Sequence, residues 1–137
     1  MDIILFNLEN KVYGIEIIHC KEIEIIKHIT PINYSSKNFK YYIEGITNIR
    51  GEIVTVINLK KLFRLNKNTY KNNLIIRLKN KKEKIGILID EVMDIINIAS
   101  SQIDFSKGHI HQEYLPYIKY TAIVNHKPIL ILNPENL

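Results

Sequence analysis

The sequence is poor in the residues that crosslink, cradle or anchor a chain: of 137 residues one is cysteine, none is tryptophan, five are glycine and four are proline. A single thiol, Cys20, rules out an intramolecular disulfide and makes a reducing compartment the natural expectation. Phosphate cradles need closely spaced glycines whose N–H groups converge on an anion; Gly14, Gly45, Gly51, Gly86 and Gly108 are scattered, so the sequence offers no nucleotide-binding loop. No apolar run approaches the roughly 18 residues that cross a bilayer, because Lys, Glu, Asn or Gly interrupts every isoleucine cluster. No tract combines the charged, apolar and cleavage regions of a signal peptide, so a soluble cytoplasmic protein is expected.

What is present points to β structure. Hydrophobic residues make up 46% and charged residues 24%, a globular balance that fits one domain over 1–137. Isoleucine dominates the apolar set, and β-branched side chains fit pleated strands better than helices. Short apolar segments recur every 8 to 12 residues between turn formers, the spacing of small barrels or sandwiches. IILFNL and VYGIEI, joined by Glu9, Asn10 and Lys11, read as a hairpin; so do NLIIRL and IGILID around KNKKEK (Lys79 to Lys84). EIVTVIN (Glu52 to Asn58) reads as a central strand covered on both faces. LKKLFRL reads as one or two helical turns, SSQI as a short turn, and YIKYTAIVN with PILILN as a closing strand pair. The polar bridge Asn33 to Lys40 reads as a surface loop. Helix is scarce.

No constellation points to catalysis. His19 and Cys20 would face opposite ways on a strand, and a packed or surface cysteine is the simpler reading. His109 and His111 share a face if extended, yet no Cys or carboxylate lies at ligand spacing, so neither a metal nor a cofactor is expected. Asp90 and Glu91 would diverge on a strand and Asp94 has no evident partner. The net charge of +5 is densest at KNKKEK, where no aromatics flank the lysines, so a solvated turn is the plain reading. Arg50 stands out in EGITNIRGEIVTVINL. Asn48 and Gly51 tolerate left-handed backbone, so a turn there would hold a five-donor guanidinium at the surface. From the residues alone it either pairs within its own domain or meets a carboxylate on a partner.

That stretch is similar to the glycine, asparagine, arginine-glycine signature of CheW-like domains, the adaptors of bacterial chemotaxis. Three further segments match in the same order: FNLENKVYGIEIIHCKEIEII with its aromatic-glycine-isoleucine core and the pair Glu22-Ile23, IGILIDEVMDIINI, and YIKYTAIVNHKPILILNPENL. The resemblance spans essentially the whole chain. It implies a mainly β fold with one or two short helices, built as two small five-stranded SH3-like barrel subdomains on a shared core. It also implies a non-enzymatic scaffold joining the cytoplasmic tips of methyl-accepting chemoreceptors to the regulatory domain of the histidine kinase CheA, recruited to membrane-associated receptor arrays.

The resemblance places receptor contacts at Arg50, Glu22 and Cys20, and assigns the shaping of the turn to Gly45, Asn48 and Gly51. Thr55 stands where the family often has proline, Asn58 where it often has aspartate, and Cys20 where an aliphatic residue is usual. With no receiver domain after Pro134, an adaptor-receiver fusion is not expected. Two alternatives differ in class or pathway: an adaptor for a non-chemotactic kinase, and a small basic barrel binding RNA through Tyr41, Tyr42 and Tyr120.

Overall fold

β-Branched and aromatic runs, broken at short intervals by turn residues, give eleven strands and one short α-helix among the described residues, which are 1–32, 40–79 and 82–137 of this computed structural model. In chain order they are β1 (Asp2–Leu8), β2 (Lys11–Glu16), β3 (Cys20–Ile25), β4 (Ile43–Ile49), β5 (Glu52–Asn58), α1 (Leu59–Leu62), β6 (Leu74–Leu78), β7 (Ile85–Ile89), β8 (Glu91–Asn97), β9 (Ile103–Asp104), β10 (Ile118–Val124) and β11 (Lys127–Leu132). They form a six-stranded sheet, β8-β1-β2-β11-β10-β9, and a five-stranded sheet, β3-β6-β7-β5-β4. The mainly β class read from the sequence holds. The one difference in count is the two-residue β9, which pairs with Thr121 and Ala122 of β10 and adds a sixth strand to one sheet.

The chain divides into two units, Met1–His19 with Glu91–Leu137, and Cys20–Asp90. In the first, β1 and β2 form the expected hairpin, with Glu9 of its two-residue turn at φ 60°. β11 pairs parallel to β2 through Leu130 and Ile131, which draws the end of the chain against its beginning. Ile3, Leu5, Tyr120, Ile129 and Ile131 bury their side chains together, each contributing about 1.5 to 3 kcal/mol when withdrawn from water. A carboxylate lies in this unit too. Tyr120 Oη donates to Glu16 Oε2 at 2.9 Å and Lys119 donates to Oε1. Burial pushes the Glu16 carboxyl up, but these two donors outweigh it and hold the group below the usual range.

In the second unit β5 is central, antiparallel to β4 and parallel to β7. Val56, Ile57 and Asn58 are buried in succession, as expected of a strand covered on both faces, but Ile53 is 56% exposed and Thr55 half-buried, so the first half of β5 is covered on the Val54 face alone. Ile26, Ile49, Ile75 and Leu88 pack with Val54 and Val56. α1 follows at once because Asn58 caps it, its Oδ1 accepting from Lys61 N at 3.2 Å.

The β6–β7 pair forms as read, although Asn80 and Lys81 of its tip lie outside the described residues, as does the expected loop from Asn33 to residue 39. Gly45 needs a correction. It sits within β4 at a register shift, not in the turn that follows, and a Cβ there would stand 2.2 Å from the Thr30 carbonyl oxygen. Its role is to let the chain at Thr30 pass against β4.

Candidate functional site

Ile49 pairs with Glu52, so Arg50 and Gly51 alone connect β4 to β5. Their φ angles are 49° and 84°, both in the left-handed region that a type I′ hairpin turn requires at its two central positions. Asn48 Oδ1 accepts from Gly51 N at 2.9 Å and closes the turn. Glycine adopts this geometry freely, whereas arginine at the first position is strained. Strain of this kind is commonest where a side chain has a task to perform.

The side chain of Arg50 is 62% exposed, yet it is already paired. Its Nη1 donates to Glu24 Oε2 at 3.1 Å and its Nη2 to Glu22 Oε1. Alternation along β3 places Glu22 and Glu24 on one face, with Ile23 and Ile25 on the other. Arg77, across from Glu22 on β6 and nearly buried, donates from Nη1 to Glu22 Oε1 at 2.9 Å and from Nη2 to Glu52 Oε2 at 3.4 Å. Lys84 Nζ lies 2.6 Å from Glu52 Oε2.

The result is an alternating ribbon, Glu24, Arg50, Glu22, Arg77, Glu52 and Lys84, with equal numbers of each sign. The hydrogen bonds that Arg50 donates to Glu24 and Glu22 raise its pKa. Burial pushes the Glu22 carboxyl up, but hydrogen bonds from Arg77 and Arg50 outweigh that and hold it down. Glu52 is lowered chiefly by Lys84. Of the two sequence readings of Arg50, this geometry shows pairing within its own domain, on a side chain that remains open to solvent.

Beside the ribbon runs an open groove of about 660 Å3 whose walls include Glu24, Ile25, His28, Thr30, Thr47 and Arg50. Glu22 and Arg50 are thus brought together. Cys20 lies two positions back along β3, opposite Leu78, and does not line the groove. Burial pushes its thiol up to about 11, against a smaller opposing effect of Lys79.

The other candidates are dispersed. His109 Nε2 lies 3.0 Å from Thr121 Oγ1, and His111 Nδ1 lies 3.4 Å from Glu113. Among the described residues no group of three or more His, Cys, Asp or Glu is placed to hold a metal. Asp90 accepts from Lys60 Nζ at 2.7 Å. The aromatic platform of the RNA alternative does not exist: Tyr42 and Tyr120 are 2% and 1% exposed, and only Tyr41 of the three reaches solvent. Their rings fill the interior, where the hydrophobic effect places large side chains.

Sequence reasoning missed Glu24, Arg77, Glu52 and Lys84. A signal existed in CKEIEI, where two glutamates two apart must share a strand face, and in NLIIRL, where an arginine inside an apolar strand demands a carboxylate.

A sheet scaffold that presents a strained, charged turn next to a groove is a recognition module. Residues 2–137 match the CheW-like domain, and the chain belongs to that family. It is 32% identical over 103 residues to the chemotaxis protein CheW of Klebsiella aerogenes, covering 74% of this chain and 60% of the relative. It is 33% identical over 107 residues to the chemotaxis protein CheW of Treponema pallidum, with the same coverage of 74% and 60%. The chain therefore spans about 60% of the length of these curated relatives. Among solved structures it resembles the scaffolding protein TtCheW of Thermoanaerobacter tengcongensis, with a TM-score of 0.79 and 27% identity over 96% of this chain and 88% of that one. The family is one of non-enzymatic scaffolds.

Proposed function

We propose that residues 1–137 act as a single CheW-like domain, a non-enzymatic adaptor of bacterial chemotaxis that couples the cytoplasmic tips of methyl-accepting chemoreceptors to the regulatory domain of the histidine kinase CheA. The observation that carries this reading is Arg50, kept in a strained turn and left exposed at the end of the β4–β5 hairpin. A guanidinium forked by Glu22 and Glu24 is pre-oriented, so a receptor carboxylate meets donors whose geometry is already set. Glu22 would share in that contact and Cys20 would supply apolar surface further along the strand. Asn48 and Gly51 would act only through the shape of the turn. No cofactor enters this function. The adaptor would work in the cytoplasm and join the membrane indirectly, through receptor arrays.

The test is co-purification of the chain with the kinase and a soluble receptor fragment. Wild type is expected to retain both. Arg50→Glu is expected to fold normally and lose the receptor fragment, because the new carboxylate repels an acidic tip. Unaltered recruitment by that variant would remove Arg50 from the interface, and failure of wild type to retain either partner would refute the coupling role.

A further inference from the structure

The unit formed by Met1–His19 and Glu91–Leu137 carries four lysines against eight carboxylates, and two of the four are engaged. Lys119 donates to Glu16, and Lys107 Nζ donates to Ile118 O at 3.0 Å. The other two, Lys11 and Lys127, stand exposed, and no carboxylate among the described residues is in an ion pair with either. Both line the same groove.

That groove opens where two hairpins part. β2 and β11 run parallel, and their register pairs only Tyr13 with Leu130 and Gly14 with Ile131. Ahead of those residues each strand belongs to its own hairpin, β2 to the bend at Glu9 and Asn10, β11 to the bend at Asn125 and His126. Pro128 has no N–H with which to extend the parallel ladder. The space between is about 710 Å3, within the roughly 300 to 1,000 Å3 of small-molecule sites. Its floor includes the buried Leu5 and Ile129, and Val12, Met93 and Val124 stand around them. A Cβ at Gly14 would lie 2.8 Å from Ile3 Cγ2, so Gly14 faces the core, and Val12, two residues earlier, shares that face yet is 36% exposed. Residues opposite one another across a strand pair leave the sheet on the same side. Lys127, opposite the core-packed Val124, and Asp94, opposite Leu5, therefore also emerge on the core face.

We propose that this groove binds a small amphiphilic monoanion, a medium-chain carboxylate, at a site separate from Arg50 and independent of the adaptor reading. The apolar tail lies on Leu5, Val12, Val124 and Ile129, and the carboxylate meets Lys127 and Lys11. Such a tail removes the exposed core face of Val12 from water together with its own surface. The lysine stems can follow apolar surface while their ammonium groups stay hydrated, so charge and tail are accommodated side by side. Asp94 is the one carboxylate on the groove, and its Oδ1 already accepts from Ile95 N at 2.8 Å. Two cations against one anion leave the lining net positive, which selects an anion over a cation of the same tail.

The experiment titrates the full chain with decanoate, below its micellar range, and follows binding by calorimetry and by amide chemical shifts. Saturable binding that moves the amides of Val12, Val124 and Ile129 is expected. Octanoate, two methylenes shorter, should bind about ten-fold more weakly, and decyltrimethylammonium, with the same tail and the opposite charge, at least about ten-fold more weakly. Lys11→Gln combined with Lys127→Gln should weaken decanoate about ten-fold, the combined worth of two exposed ion pairs, and Asp94→Asn should tighten it about two-fold. Lys40→Gln combined with Lys71→Gln removes equal charge from residues that do not line the groove, and should change binding by about two-fold or less. The proposal is overturned if decanoate does not saturate, if the shifts fall on other residues, or if the cationic amphiphile binds as tightly. It is also overturned if the Lys11 and Lys127 variant binds like wild type, if both double variants lose equally, or if Asp94→Asn weakens binding.

Discussion

Replacing Gly45 by alanine tests whether close packing, and not turn geometry, fixes that position. The added Cβ would stand 2.2 Å from Thr30 O, 2.8 Å from Thr30 C and 2.9 Å from Ile29 Cγ2. Two of these neighbours are backbone atoms and cannot rotate away, so the segment bearing Thr30, joined to β4 by an isolated bridge, must retreat by about 1 Å to reach ordinary contact. That retreat breaks the bridge in which Thr30 N donates to Ile46 O at 2.8 Å and Ile46 N donates to Thr30 O at 2.9 Å. It also loosens the bond from Thr47 Oγ1 to His28 O at 2.6 Å. At about 1 kcal/mol for each lost bond, the variant should be about 2 to 3 kcal/mol less stable. In a domain of this size that is a drop of roughly 5 to 10 °C in Tm. Thermal unfolding measures the loss, and amide exchange at Thr30 and Ile46 should locate it. Gly108→Ala, where an added Cβ meets nothing within 4 Å, is the matched control. A Gly45→Ala protein with wild-type Tm and unchanged protection at both amides would refute the reasoning.

Two further outcomes follow from the titrating groups. Because burial pushes the Cys20 thiol up to about 11, its alkylation by iodoacetamide at pH 8 should run about a hundred-fold slower than that of an unstructured peptide thiol and rise steadily with pH; equal rates would show the thiol to be ordinary. Glu16 titrates lower in the folded state, so its stabilising contribution is complete above the unfolded glutamate value of about 4.3 and disappears as pH falls through the lower folded value. Glu16→Gln should therefore lower Tm at pH 7 and flatten its decline in acid, and parallel Tm-pH curves for the two proteins would contradict that.

Much of the architecture was legible because strands announce themselves locally. The short apolar runs IILFNL, VYGIEI and PILILN and the polar link of Glu9, Asn10 and Lys11 are read from β-branched residue type and from turn chemistry, neither of which needs distant partners. The helical turn at Leu59–Leu62 was readable for the same reason. The candidate site was only half legible. Asn48 and Gly51 foretold a left-handed turn at Arg50, but no local pattern states that β3 and β6 will carry Glu22, Glu24 and Arg77 to it from 28, 26 and 27 residues away. The resemblance assigned Gly45 to the shaping of the turn, whereas its constraint comes from Thr30, fifteen residues earlier.

The sequence by itself determined the β character, the existence of the hairpins, the surface position of Arg50 and the family to which the chain belongs, since all of these rest on short-range spacing and residue type. Tertiary structure alone decided which charges meet, which tyrosines are lost to the interior, and that Lys11 and Lys127 line one groove. Those outcomes depend on strand pairing between distant segments. The free energy of a buried or paired charge is set by what surrounds it in space, and that information is spread over the whole chain and not carried by any one stretch of it.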